Sequence, residues 1–264
     1  MIMAAVLVVP TVASADQPLQ PIKPWVVDYA DTQCIAYREY GDVASPVTLA
    51  IRPAPLGESY ELMILRQRSG TVLAEEIEGG VDFGRRRIKT WMLSYGVKGQ
   101  KVNIHQFRIS AVQMAQARSA KSVSFFANGG PDSSFMLGAM PELLDGLSKC
   151  TLDLQRYWNM GAAADGRLAV PSKGEVRPIF SSDDYPAEAL SRWQEGSSQF
   201  LLLIDEHGKV AGCHVVKESG VPIFDVMGCQ VIRERSKFSP ALDAKGIPVR
   251  SSYITPQVVW RLEP

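Results

Sequence analysis

The chain has 264 residues, of which 46% are hydrophobic and 21% charged, and its 28 Lys+Arg balance 28 Asp+Glu. This length and composition suit one or two domains with a sizeable core and exclude a disordered chain or a polytopic membrane protein. A zero net charge leaves no global field to attract nucleic acid or anionic lipid, and the short basic run Arg85-Arg86-Arg87 reads as a solvated surface rather than a phosphate site.

At the start, the apolar run Ile2–Val12 is followed by Ala13-Ser14-Ala15, the layout of a secretory signal peptide (1–15) cleaved after Ala15. As a helix the run is about 16 Å long, against roughly 30 Å of hydrocarbon, so it does not span a bilayer as written. No Lys or Arg precedes it. Either the signal is atypical or the start lies upstream of Met1, and only the second case leaves room for inner-membrane anchoring. Export to the periplasm is the expectation.

Asp16–Lys23, with Pro18 and Pro21, is an extended lead-in. Short apolar runs then predict strands at Trp25–Tyr29, Cys34–Glu39, Val47–Arg52, Tyr60–Gln67, Thr71–Glu75 and Ile88–Ser94. Gly41-Asp42, Pro53–Gly57, Ser69-Gly70, Gly79-Gly80 and Gly96–Gly99 stand between them as turns. Ile109–Ala120 fits helix or strand, and Val123–Ala127 a strand ending at Asn128-Gly129-Gly130-Pro131. In Pro141–Trp158, Leu143, Leu144, Leu147, Cys150, Leu154 and Trp158 recur at three and four, the spacing of a helix with one buried face. Residues 16–158 thus read as a strand-rich α+β domain ending in a helix, and the Gly-, Ala- and Pro-rich stretch 159–175 as a linker.

Residues 176–264 form the second predicted domain. Gln199–Ile204 and Val210–Lys217, joined by Asp205-Glu206-His207-Gly208-Lys209, predict an antiparallel hairpin. In Val221–Phe238, Phe224, Met227 and Val231 have helical spacing, with Pro222 in the first turn and Arg235 and Lys237 at the end. Val249–Leu262 reads as a long terminal strand. The expected result is a three-stranded antiparallel sheet with a helix on one face, giving an α+β chain overall.

Four cysteines in an exported chain are expected to oxidise. Of three possible pairings, Cys213 to Cys229 staples the helix to the hairpin, and by elimination Cys34 pairs with Cys150. A metal site needs closely paired ligands, and no C-x-x-C or H-x-x-H occurs, so neither metal nor cofactor is expected.

From Tyr185 to Leu262 the order of motifs resembles the C-terminal domain of TonB, the periplasmic end of the energy transducer that drives outer-membrane receptors. The residues that carry the resemblance are Tyr185-Pro186 with Ala187 and Ala189, Gly196, Asp205 with Gly208-Lys209-Val210, Ser219-Gly220, Phe238-Ser239-Pro240-Ala241 and Gly246-Ile247-Pro248-Val249. A subset of such domains also has cysteines before and inside the helix, as at Cys213 and Cys229. The resemblance implies that the last strand receives a short receptor segment by strand addition. The matching positions are Tyr253, Thr255, Gln257 and Val259, with Tyr185 and Pro186 as a second contact region. For Tyr185 the plainer reading is a ring packed on the sheet. Homodimerisation through the terminal strand is a further implied option. Where a TonB proper has an uncleaved membrane helix and a long Pro-rich spacer, this chain has a cleavable-looking leader and a strand-rich domain.

No catalytic set stands out. His105, His207 and His214 are isolated, and G-x-S-x-G, H-E-x-x-H and phosphate-cradling loops are absent. Asp183-Asp184 suits a helix N-terminus ahead of Tyr185, and Asp31-Thr32 is followed by Gln33 and Cys34 where an aspartic protease needs Gly. The sequence therefore predicts a peptide-binding periplasmic protein rather than an enzyme. The alternatives are a structural or interaction module unrelated to receptors and a secreted enzyme with its site in residues 25–158.

Overall fold

The computed structural model describes residues 17–67, 75–96, 100–128 and 132–262. The leader, its cleavage motif, most of the expected strand Thr71–Glu75 and the turn Gly129-Gly130-Pro131 lie outside them.

The first part is built from nine antiparallel strands: β1 (Val26–Ala30), β2 (Gln33–Asp42), β3 (Ser45–Pro53), β4 (Ser59–Gln67), β5 (Glu75–Asp82), β6 (Arg87–Gly96), β7 (Val102–Ser110), β8 (Ser122–Ala127) and β9 (Ser133–Met136). They lie in the order β1-β2-β3-β4-β7-β6-β5-β8-β9. The lead-in joins β9, at one end of this order, to β2, next to the other end. Leu19 donates its N–H to Ser134 O and accepts from Met136 N on β9, while Ile22 donates to Glu39 O and Gln20 O accepts from Gly41 N on β2. Pro21, which has no N–H, bridges opposite Tyr40. The sheet is thereby closed into a barrel without a free edge at that seam.

Inside lie Tyr40, Leu49, Phe107, Phe125 and Phe135, all nearly inaccessible, with Tyr40 and Phe125 edge-on to Phe135. After β7 a one-turn helix, α1 (Ala111–Met114), is capped by Ser110. The long helix α2 (Met140–Tyr157) then buries Leu143, Leu144, Leu147, Cys150 and Leu154. Its residue Cys150 is bonded to Cys34 of β2, and Trp158 at its end donates to Asp31 O.

Two expectations fail for physical reasons. Gly79-Gly80 is not a turn but the middle of β5. A Cβ at Gly79 would lie 2.3 Å from Phe126 O and one at Gly80 2.2 Å from Ile88 O, so the pair serves a close approach of neighbouring strands rather than chain reversal. Ile109–Ala120 is neither one helix nor one strand: β7 runs through Ile109 to Ser110, and only α1 is α-helical.

The second part is a smaller sheet. A short segment β10 (Lys173–Gly174), which pairs with β13 (Phe238–Ser239) apart from this sheet, comes first, then helix α3 (Ala187–Ser191), the hairpin of β11 (Gly196–Ile204) and β12 (Val210–Lys217), and helix α4 (Pro222–Arg235). Short ribbons β13 (Phe238–Ser239), β14 (Ala241–Leu242) and β15 (Pro248–Val249) lead to β16 (Ser251–Ile254) and β17 (Val258–Trp260). β11 is central, with β12 on one side and both β16 and β17 on the other. The long terminal strand expected from Val249 to Leu262 is thus split at Thr255-Pro256-Gln257, and Thr255 bridges the break by donating its N–H to Phe200 O and accepting Phe200 N at Oγ1.

β11 is buried on both faces. Phe200, Leu202 and Ile204 meet α4, whereas Leu203 joins the barrel core. Gly228 of α4 sits over the Phe200 ring, where a Cβ would come within 2.3 Å of it. That close approach lets the adjacent Cys229 bond to Cys213.

Candidate functional site

An extended partner can add only to a strand whose outward N–H and C=O groups are free. Because Thr255 bonds to Phe200, alternation along β11 turns the backbone N–H and C=O groups of Phe200, Leu202 and Ile204 toward the terminal ribbon. Their opposites Tyr253 and Ser251 face inward, and Arg250, Ser252 and Ile254 face outward. The first of these is already occupied, since Asn159 Nδ2 donates to Arg250 O and the Arg250 guanidinium lies 4.3 Å from the Tyr157 ring centroid. Ser252 and Ile254 have no strand partner among the described residues, and Ile254 is half exposed.

The positions named from the sequence divide into two groups. Gln257 and Val259 are exposed, and Tyr253 is partly covered by the Phe238 ring. Thr255 is buried and committed to the bridge across the break. Tyr185 packs edge-on against Phe224 and Trp260, which stack on each other at 4.9 Å, and its hydroxyl donates to Gln194 O. Pro186 is buried beside it. The Tyr185-Pro186 pair therefore anchors the segment before β11 in the core of the sheet. Just upstream, Asp184 accepts two bonds of 2.7 Å from the Arg235 guanidinium and one from Ser181 N. That role holds the segment to the end of α4. Arg235 and Ser181 hold its carboxyl below the usual carboxylate range against the effect of burial.

Residues 181–262 match the family described as Gram-negative bacterial TonB protein C-terminal. A comparison with curated proteins found no match. The TonB-type segment coincides with the small sheet and its covering helix, from the turn that holds Asp184 to the end of β17.

Where this TonB-type domain meets the barrel, a charged cluster has formed that the sequence did not announce. Glu61 of β4 lies opposite Arg52 of β3 and Arg108 of β7 in the strand register. Arg52 Nε donates to Glu61 Oε2 at 2.7 Å, and Arg108 Nη2 to Oε1 at 2.7 Å. Arg108 Nε also pairs with Glu218 Oε1, just past β12, at 3.2 Å. Burial pushes the Glu61 carboxyl up, but Arg52 and Arg108 overcome it and hold it at about 2. Glu76 of β5 reaches the same domain, accepting Ile223 N at 2.6 Å in the first turn of α4. These charges lie on different strands, so only the register reveals them.

His214 of β12 faces the cluster. Burial, and then the Arg52 charge, push its imidazole down to about 4, and Nε2 is buried without a hydrogen-bond partner among the described residues. A histidine with an ordinary pKa of about 6.5 when unfolded takes up its proton in the unfolded chain first. Its contribution to stability is therefore complete above that value and is lost as pH falls toward 4. The expected loss reaches about 3 kcal/mol. Urea unfolding between pH 7 and pH 4 measures it, and His214→Leu is expected to flatten that part of the profile.

No helix among the described residues is long and apolar enough to cross a membrane.

Proposed function

We infer that the chain is an exported TonB-like protein of the envelope, whose terminal ribbon takes up an extended segment of an outer-membrane receptor by strand addition. The observation that carries this reading is the open outer edge at Ser252 and Ile254, on the last strand of a segment matching the TonB C-terminal family. A binding role, not an enzymatic one, fits a segment whose buried carboxylate, Asp184, is engaged by Arg235 in holding the chain together. Two disulfides suit an oxidising compartment, and residues 1–15 serve as the leader. The domain division at 16–158, 159–175 and 176–264 is part of the same reading, with the barrel as a rigid mount for the sheet.

Titration calorimetry with a synthetic N-terminal segment of an outer-membrane receptor tests it. Proline at 254 removes an outward donor while leaving the bonds to β11 in place. Ile254→Pro is expected to weaken binding at least tenfold, and Ile254→Ala only a few-fold. Equal affinity of the proline variant and the parent protein ends the strand-addition reading.

A further inference from the structure

The small sheet has a second edge, and it does not face open solvent. The same alternation that turns the backbone groups of Phe200, Leu202 and Ile204 toward the terminal ribbon turns those of Leu201 and Leu203 toward β12. Their opposites on β12 are His214 and Gly212, so these exchange bonds with β11. Cys213 and Val215, opposite Leu202 and Phe200, then point their N–H and C=O groups away from the sheet. Neither N–H donates to any group among the described residues.

Both residues line a cleft of about 560 Å³ between the TonB-type domain and the barrel wall. Opposite them on the barrel stand Trp91 and Tyr95 of β6 and Arg108 of β7, and α4 contributes Val226 and Arg233. Trp91 and Val226 are over 40% exposed, an unusual state for two large apolar side chains sharing one concavity. The carboxylates nearby are mostly engaged: Glu61 by Arg52 and Arg108, Glu218 by Arg108, and Asp225 by the Ser198 hydroxyl at 2.6 Å and Ser219 N. Two lining cations, Lys209 and Arg233, have no ion-pair partner among the described residues.

We propose that this cleft is a second strand-addition site, in which an extended peptide segment alternating apolar and acidic residues pairs with the free backbone of Cys213 and Val215. A row of strand-spaced donors and acceptors fits an extended backbone and little else. The apolar side chains of such a segment lie against Trp91 and Val226, and its carboxylates meet Lys209 and Arg233. The proposal does not depend on the terminal-ribbon reading, because it uses the opposite edge of the sheet.

The test is an NMR titration of the full chain with an eight-residue peptide of alternating valine and glutamate, capped at both ends, carried to millimolar concentration. Saturable amide shifts are expected at Cys213 and Val215, with the Trp91 indole perturbed and Ser252 and Ile254 unmoved. Val215→Pro removes the outward donor without touching the ladder to β11 and is expected to weaken binding at least tenfold. Trp91→Ala, which leaves the strand backbone alone, is expected to weaken it several-fold, and Arg233→Glu likewise. No saturable binding, shifts confined to Ser252 and Ile254, or unchanged affinity in both Val215→Pro and Trp91→Ala overturns the proposal. So does sedimentation showing a dimer that Val215→Pro dissociates, since the occupant is then a second copy of the chain. Binding at the terminal ribbon can fail or succeed independently of each of these results.

Discussion

Replacing Cys34 and Cys150 together by serine is expected to lower the unfolding free energy of the barrel by about 4–5 kcal/mol. The bond joins residues 116 apart, and on the loop-entropy model closing a segment of roughly 100 residues stabilises by about 4.7 kcal/mol. Both sulfurs are almost fully buried, one on β2 and one on the inner face of α2, so two hydroxyls would also enter an apolar core. The other bond, Cys213–Cys229, spans only 16 residues and is worth about 3 kcal/mol on the same model. Urea unfolding followed by tryptophan fluorescence reads the difference, because Trp158 sits at the end of α2. Exposure predicts the order of reduction as well: Cys213 and Cys229 are half-buried and border the cleft, so dithiothreitol should open that bond first. A larger loss from the Cys213/Cys229 double serine variant than from the Cys34/Cys150 variant contradicts this account.

What could be read from the sequence and what could not separate along a physical line. Helices α2 and α4 and the β11–β12 hairpin were legible because each carries its own periodicity and its own turn chemistry. The short helix α3 and the tight turn at Asp205–Lys209, where Asp205 Oδ1 accepts from His207 N and Lys209 N, follow from local residues too. β7 was missed because His105, Gln106 and Asn103 dilute its apolar alternation, and its place is fixed by pairing with β4 and β6. Gly79-Gly80 misled because glycine marks both turns and close strand approaches. The barrel closure rests on backbone bonds of the proline-containing lead-in, which leave no side-chain pattern. At the sites the same division holds. The alternation of the terminal ribbon was visible, and so was the plainer reading of Tyr185 as a ring packed on the sheet, yet that Thr255 spans a break and that Pro186 is buried depended on packing. Neither the cleft nor its open β12 edge could be seen, because the edge becomes a site only where the barrel wall stands opposite it.

Glu61→Ala is expected to cost about 3–5 kcal/mol, the range for removing one partner of a buried ion pair. The size follows from what remains rather than from what is lost. Arg52 and Arg108 have side chains only 28% and 19% exposed, and without Glu61 two guanidiniums face each other in the cleft floor beside the neutral His214 ring. Glu218 can compensate only Arg108, and Gln33 Oε1 accepts a single bond of 2.9 Å from Arg52. Glu61→Gln keeps the shape and one acceptor and should cost less, about 1–3 kcal/mol. The pH profile separates this mechanism from simple loss of packing. With the folded carboxyl held at about 2, below its ordinary 4.5, the parent protein keeps the Glu61 contribution above pH 4.5 and loses it as pH falls toward 2. Glu61→Gln should therefore converge on the parent in stability at the acid end, whereas the part of the Glu61→Ala loss that comes from missing shape and acceptors persists at every pH. Because Glu218 belongs to the TonB-type domain, a double-mutant cycle between Glu61→Gln and Glu218→Gln also reports whether the Arg108 clamp couples the two sheets. A coupling energy near zero would mean that they stand independently.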